Sequence, residues 1–315
     1  MTPTPDPEHR KALALAIIVT VLWSSSWVII RFGLDDEGLT PLTFAGLRYA
    51  TAAVVLIGVV ASRPAARKGV RSLTPREIAG LALLGVVFFA LTQGAQFVAL
   101  DNQPAATTSL VLAMTPLLVA AMAGRSLGER ATARQLTGAI LVLGGAALYF
   151  SGSLAATAIG MAAAIVGLFS NVAGSLLGRQ INREHHRSPL VTTTVSMTVG
   201  ALILLAVGWG VEGVPEVSPT AVLIIGWLAV VNTALAFTLW NHSLRHLTAT
   251  ESSAINNTML IQIAALAWFF LGETPSAAQV LGILAVTVGI TISQRMGWGS
   301  APQETRAVPP AAGGG

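Results

Sequence analysis

The chain contains no cysteine. Disulfides, iron–sulfur clusters and thiolate metal sites are therefore excluded, and nothing follows about compartment. Charge is scarce too: 10% of the residues are Asp, Glu, Lys or Arg, against roughly 25% in an ordinary soluble domain. With 53% hydrophobic residues and a mean hydropathy of +0.71, a soluble fold would be left with a largely apolar surface. The composition reads as a polytopic membrane protein. Alternation of apolar and polar residues is also missing. The apolar runs are continuous and far longer than the ~10 residues of a membrane strand, so the expected class is all-α.

Runs of about 20 mostly apolar residues, the length a spanning helix needs, fall at ten places: about 12–32, 41–62, 77–99, 103–124, 132–151, 154–177, 189–210, 219–241, 250–271 and 277–295. Ala12 to Ile30 is too long for the apolar part of a signal peptide and meets no small-residue cleavage site before Arg31, so it reads as the first span. From Ser300 the chain is rich in Pro, Ala and Gly without periodicity, which reads as a disordered tail. Lys and Arg orient the spans. If the connections alternate between two sides, starting with the N-terminus inside, 16 of the 18 basic residues fall inside, Arg31 alone falls outside, and Arg48 lies within a span. That asymmetry predicts ten spans with both termini cytoplasmic. It also accounts for the high pI. The positive charge is spread over six cytoplasmic segments rather than gathered in one patch, so nucleic acid is not an expected partner. The outer connections carry acids instead: Asp35, Asp36, Glu37, Asp101, Glu212, Glu216 and Glu273.

One stretch is written twice. LGERATARQLTG (127–138) and LGETPSAAQVLG (271–282) share six of twelve positions at a gapless offset of 144. LLGVVFFAL (83–91) echoes WLAVVNTAL (227–235) at the same offset, and TPLT (40–43) echoes SPLV (188–191) at 148. The repeat divides ten spans into two halves of five. Five is odd, so the second half would enter from the opposite side, with Glu129 inside and Glu273 outside. Such an inverted repeat is the architecture of secondary transporters, which bind substrate near the midplane between the halves. The expected organisation is a cytoplasmic tail over 1–11, a first five-helix repeat over 12–152, a second over 153–296, and a cytoplasmic tail over 297–315.

The chain resembles the EamA-type transporters of the drug/metabolite transporter superfamily, over about residues 12–296. The resemblance rests on the two five-span halves and on Trp23-Ser24-Ser25, Ala45-Gly46-Leu47-Arg48, Thr115-Pro116 and the two LGE steps. There are departures. Ser24 stands where the family usually has Gly, and Leu260 stands where the second half would match Pro116. Membership implies export of amino acids, related metabolites or drugs, and the sequence looks most like the bacterial amino-acid exporters of the inner membrane.

Polar side chains at membrane depth are costly and need a reason. Arg48, about seven residues into the second span, either meets an anion such as a substrate carboxylate or snorkels outward to carbonyls and Asp101. Gln93, Gln96, Asn171, Asn232, Asn241, Asn256, Asn257 and Gln262 either line a cavity, where amides suit a zwitterion, or bond helix to helix. Asn232, Asn256 and Asn257 fall in spans from which the family builds its central cavity. Trp23 and Trp240, with Trp27, are candidates for cation–π or apolar contact with substrate, or are interfacial anchors. Trp268 reads as lipid-facing. Pro116 frees a carbonyl near Leu112, as a gating kink or a packing kink. Gly138, Gly144, Gly145, Gly282 and Gly289 read as close packing of spans five and ten, and both a homodimer through that surface and a monomer fit the pattern.

Other patterns lead nowhere. Gly208–Gly213 spells GxGxxG, but no strand precedes it. His242 and His246 share a helix face without a third ligand, so no metal is expected, nor any cofactor. No Asp or Glu lies in the middle of a proposed span. Proton coupling would therefore use a span end, the histidines near span eight, or no dedicated carboxylate. The reading is an exporter of small metabolites, foremost neutral or aromatic amino acids, working by alternating access. A drug or nucleobase exporter is the alternative. A membrane enzyme would need a cluster of ionisable groups at one interface, and an ion pore would need charged rings; the sequence has neither.

Overall fold

The computed structural model describes residues 7–115, 117–119, 122, 133–151, 156–185, 188–243, 247, 255–256 and 258–294. The described residues are almost all helical, and no strand occurs among them. In chain order the helices are α1 (Pro7–Asp35), α2 (Pro41–Ser62), the short α3 (Pro64–Arg71), α4 (Pro75–Leu84), α5 (Thr92–Asn102), α6 (Ala105–Leu112), α7 (Ala133–Ser151), α8 (Ala158–His185), α9 (Pro189–Val211), α10 (Pro219–Ala229), α11 (Ala236–Ser243), α12 (Met259–Leu271) and α13 (Ala277–Gln294). Gly85–Leu91 joins α4 to α5 as a π-helical segment, and Val230–Leu235 joins α10 to α11 in the same way.

Among the described residues, five helical stretches are long and apolar enough to cross a membrane: Pro7–Asp35, Pro41–Ser62, Pro75–Asn102, Ala158–Gly178 and Pro189–Val211. Five shorter apolar stretches accompany them: Ala105–Val119, Thr137–Ser151, Pro219–Leu235, Met259–Leu271 and Ala277–Ile292. Each falls on one of the ten expected runs. The outward faces are apolar, with Val54 68%, Leu223 73% and Phe269 82% exposed. In water such a surface would aggregate; in a bilayer it is the face lipid requires. Trp268 lies on this surface too.

The packing has a two-fold pattern. α2 packs on α9, and α7 on α13. α1 packs on α11 and α12, while its counterpart α8 packs on α5 and α6. Glycines allow the close approaches. A Cβ on Gly282 would stand 2.6 Å from the carbonyl oxygen of Gly145, and one on Gly289 2.7 Å from that of Gly138. Gly46 and Gly208 do the same between α2 and α9, against the Leu205 and Thr43 backbones at 2.8 and 2.7 Å. Gly144 meets nothing within 4 Å and takes no part. The glycine faces of α7 and α13 are thus turned on each other within one chain.

The two π-helical segments fall on the echoed stretches 83–91 and 227–235. At each, a threonine hydroxyl donates to the carbonyl five residues back: Thr92, just past the first segment, to Val87 at 2.9 Å, and Thr233, within the second, to Leu228 at 2.8 Å. The extra residue per turn matches the i→i−5 spacing of these bonds. Isolated π turns of this kind concentrate at functional sites.

The acid-rich ends of the helices, which include Asp35, Asp101, Glu212 and Glu273, are tied together. α2 and α6 begin at Thr40 and Pro104 without side-chain caps, so their first N–H groups need acceptors. Glu212 supplies them for α2, accepting from the Leu42 and Thr43 amides at 3.0 and 2.8 Å. Glu273 does so for α6, accepting from Ala105 and Ala106 at 2.9 and 3.4 Å. The twice-written LGE can now be read. Leu271 ends α12, Gly272 takes the left-handed conformation at φ 67°, and Glu273 is thereby aimed at the positive end of a helix from the other half. Its copy at 127–129 lies outside the described residues. At the same end Ser218 donates to Glu37, Arg31 donates to the Leu100 carbonyl, and Arg31 pairs with Asp35 at 2.9 Å.

Candidate functional site

Arg48 is the one basic residue placed deep in a span by the sequence, and α2 holds it 5% exposed. Its Nε and Nη2 each donate to the Thr233 hydroxyl at 3.3 Å. Its guanidinium carbon stands 5.2 Å from the centre of the Tyr49 ring. No carboxylate pairs with it among the described residues, and it does not reach Asp101, whose side chain accepts from Asn102. A buried guanidinium with a shared hydroxyl and one aromatic face is under-compensated, and an anion would complete it. Tyr49 continues the network, its hydroxyl donating to Gln93 Oε1 at 2.6 Å.

Thr233 sits on the π-helical segment beside Asn232, which is fully buried. Asn232 donates through Nδ2 to the Leu22 carbonyl and to Ser25 Oγ, the latter at 3.2 Å. Its Oδ1 is buried without a partner. Ser24 donates to Gln262 Oε1 at 2.9 Å, and Gln262 Nε2 donates to Thr20 and Thr258 at 3.2 and 2.9 Å. A polar seam thus joins α1, α2, α5, the second π segment and α12, across both halves. Beside it Trp23 packs on Phe237 and Trp240, with ring centres 5.3 and 5.2 Å apart.

The structure therefore brings together Arg48, Gln93 and Asn232 in the seam, and Trp23 with Trp240 in the aromatic group. Asn171 lies apart, donating to Thr115 at 3.2 Å between α8 and the end of α6. Gln96 is half-buried, and Asn256 is exposed. Pro116 and Asn257 lie outside the described residues, as does the side chain of Asn241. The carbonyl of Leu112 accepts from the Thr115 hydroxyl at 2.7 Å, where α6 ends. Trp27 is buried in the core, 7% exposed, rather than anchored at an interface. No cluster of three metal-ligating side chains occurs among the described residues.

Sequence reasoning missed Tyr49, Thr233 and Phe237. Thr233 could have been found from its place beside Asn232 in the echoed stretch. It also missed two cavities at the end rich in Arg and Lys. One, of about 430 Å³, lies between α3 and α9, at Arg63, Gly69 and Ser188. The other, of about 390 Å³, lies among the first π segment, α8, α9 and α11, and is lined by Phe88, Phe89, Ser175, Thr192, Ser196 and Phe237 among others.

This architecture has known relatives. The sequence pattern of the EamA-like transporter family matches residues 10–151 and again 158–294. A probable terminal-alkyne amino-acid exporter of Streptantibioticus cattleyicolor is 26% identical, the alignment covering 90% of this chain and 94% of that protein. A probable amino-acid metabolite efflux pump of Salmonella typhimurium is 27% identical over 90% of this chain and 95% of its own. An uncharacterized inner membrane transporter of Escherichia coli is 24% identical over 85% and 88%. A solved crystal structure shares the fold at a TM-score of 0.63 and 18% identity, over 90% of this chain and 97% of that one. Apolar helices throughout and two consecutive family matches agree: the chain belongs to the EamA-like transporter family and is a multi-pass protein of the bacterial inner membrane.

Proposed function

We propose that the chain is a secondary transporter that exports small metabolites carrying a carboxylate, foremost neutral and aromatic amino acids. Ten spans form two inverted five-helix halves with both termini in the cytoplasm. The halves rock about a central site to alternate access. The observation that carries the reading is Arg48: a guanidinium 5% exposed at the junction of the halves, without a carboxylate partner among the described residues. A substrate carboxylate would supply the missing charge. The amides of Gln93 and Asn232 suit an ammonium group, and the rings of Trp23, Phe237 and Trp240 suit an apolar side chain. The names of two relatives, an amino-acid exporter and an amino-acid metabolite efflux pump, agree with this substrate class.

The acidic end is tied shut by Glu212 and Glu273 while both cavities lie at the basic end. With the basic end in the cytoplasm, this is the state that loads substrate for export. The buried seam contains no carboxylate among the described residues, which favours export down the substrate gradient over a dedicated proton relay. The test is uptake of a labelled amino-acid panel by proteoliposomes, with and without an imposed pH gradient. Saturable uptake, unchanged by the gradient, is expected. Absence of uptake for every amino acid by folded protein would refute the substrate class, and accumulation that collapses with an uncoupler would refute facilitation.

A further inference from the structure

The 390 Å³ cavity at the basic end is an open recess rather than an enclosed void. It contains no charged side chain. Its lining includes four hydroxyl-bearing residues, Ser175, Thr192, Thr193 and Ser196, set against Phe88 and Phe237. Threonine and serine in apolar helices ordinarily turn their hydroxyls onto the carbonyl one turn back. On α9 they do so at Thr194, Ser196 and Thr198, each bonding its i−4 carbonyl at 2.7 Å. Thr192 breaks the pattern. Its residue is 7% exposed, yet its Oγ1 is buried with no partner at all. That hydroxyl is closed off from the cavity as it stands, and a turn of the Thr192 side chain would present it to a ligand there and give it the partner it lacks.

The cavity also stands on the path to Arg48. Phe89 forms part of its wall and packs its ring 5.9 Å from that of Tyr49, whose other neighbour is the Arg48 guanidinium. One ring, carried by the π-helical segment, separates cavity and seam. Gly174 and Gly200 leave room for this pair of phenylalanines. A Cβ on Gly174 would meet Phe88 Cδ2 at 2.6 Å, and one on Gly200 would meet Phe89 Cβ at 2.4 Å.

We infer that this cavity is a loading site, which takes a net-neutral small molecule with an apolar group from the basic side before it reaches Arg48. The hydroxyls of Thr192, Thr193 and Ser175 bond the polar part of the ligand, and Phe88 and Phe237 cover the apolar part. The absence of a charged group lets a zwitterion pass and disfavours a molecule of net charge, because nothing in the wall would offset its desolvation. Phe89 is the partition that must move for the molecule to advance. The inference rests on the export reading for the identity of its ligand, but its test does not depend on transport.

The natural chain has no cysteine, so single-cysteine labelling reads one position without background. Ser175→Cys should react with a membrane-impermeant maleimide from the basic side only, and saturating L-phenylalanine or L-leucine should slow that reaction severalfold. Leu202→Cys, 61% exposed on the lipid-facing surface, should stay unlabelled. Thr192→Val keeps shape and removes the hydroxyl. It should raise KM roughly two- to tenfold with kcat unchanged, the worth of about one neutral hydrogen bond. No labelling of Ser175→Cys, or labelling that neither amino acid slows, would overturn the loading site. Protection without transport by the wild-type protein would sink the export reading and leave the site standing. Transport without protection would do the reverse.

Discussion

Arg48 was legible in the sequence as an anomaly, a cation in an apolar run, but its partners were not. Sequence spacing left open a snorkel to Asp101, and the structure instead sets the guanidinium on Thr233, 185 residues away in the chain. Hydroxyls are poor sequence signals for this reason. A threonine in an apolar helix is usually satisfied by its own backbone, so the two that matter, Thr192 and Thr233, look like all the others. The export reading makes a definite prediction at Arg48. Arg48→Gln should lower kcat/KM for a carboxylate-bearing substrate by about 10- to 100-fold, the worth of one or two charge-assisted hydrogen bonds. Arg48→Lys, which keeps the charge but not the fork, should lose less. Initial rates of uptake in proteoliposomes, normalised to folded protein, measure both.

Among the elements, the repeated LGE shows how a motif can be visible while its purpose is not. Its recurrence and its place at a span end were plain in the sequence. That Glu273 caps a helix of the other half could be seen only once α6 was found to begin without a cap of its own. The π-helical segments were likewise foreshadowed only as an echo, because helical periodicity does not register one extra residue in a turn. Glu273→Ala leaves the Ala105 and Ala106 amides without their acceptor and loosens the closed acidic end. In that background Ala106→Cys, buried in the parent, should be labelled several times faster from the acidic side. An unchanged rate would mean that the acid does not hold that end closed. The α7–α13 pair gives a prediction of stability. A methyl on Gly282 meets backbone at 2.6 Å, which cannot yield as a flexible side chain would. Gly282→Ala should therefore cost about 1–3 kcal/mol, seen as a lower unfolding temperature in detergent. Gly144→Ala, in open space, should cost nothing.

For the whole molecule, composition and the continuous apolar runs carried the reading of an almost all-helical chain with apolar outward faces among the described residues, and the internal repeat carried the expectation of two halves. The exchange of contacts between halves, α1 with α11 and α12 against α8 with α5 and α6, is what a pseudo-two-fold axis requires. The cavities could not be read from the sequence, because they arise where elements far apart in the chain fail to meet, α3 and α9 at one and the first π segment, α8, α9 and α11 at the other. The inverted arrangement predicts that Ser72→Cys reacts with impermeant reagent from the cytoplasm and Val214→Cys from the opposite face, both residues being exposed in connections at the two ends. The central claim is that a buried guanidinium between two rocking halves holds the carboxylate of the exported molecule. It is tested most directly by comparing counterflow, in proteoliposomes, of an amino acid with that of its amine, the same molecule without the carboxylate. The account predicts exchange of the amino acid, little of the amine, and loss of that discrimination in Arg48→Gln. Equal exchange of both by the wild-type protein would contradict it.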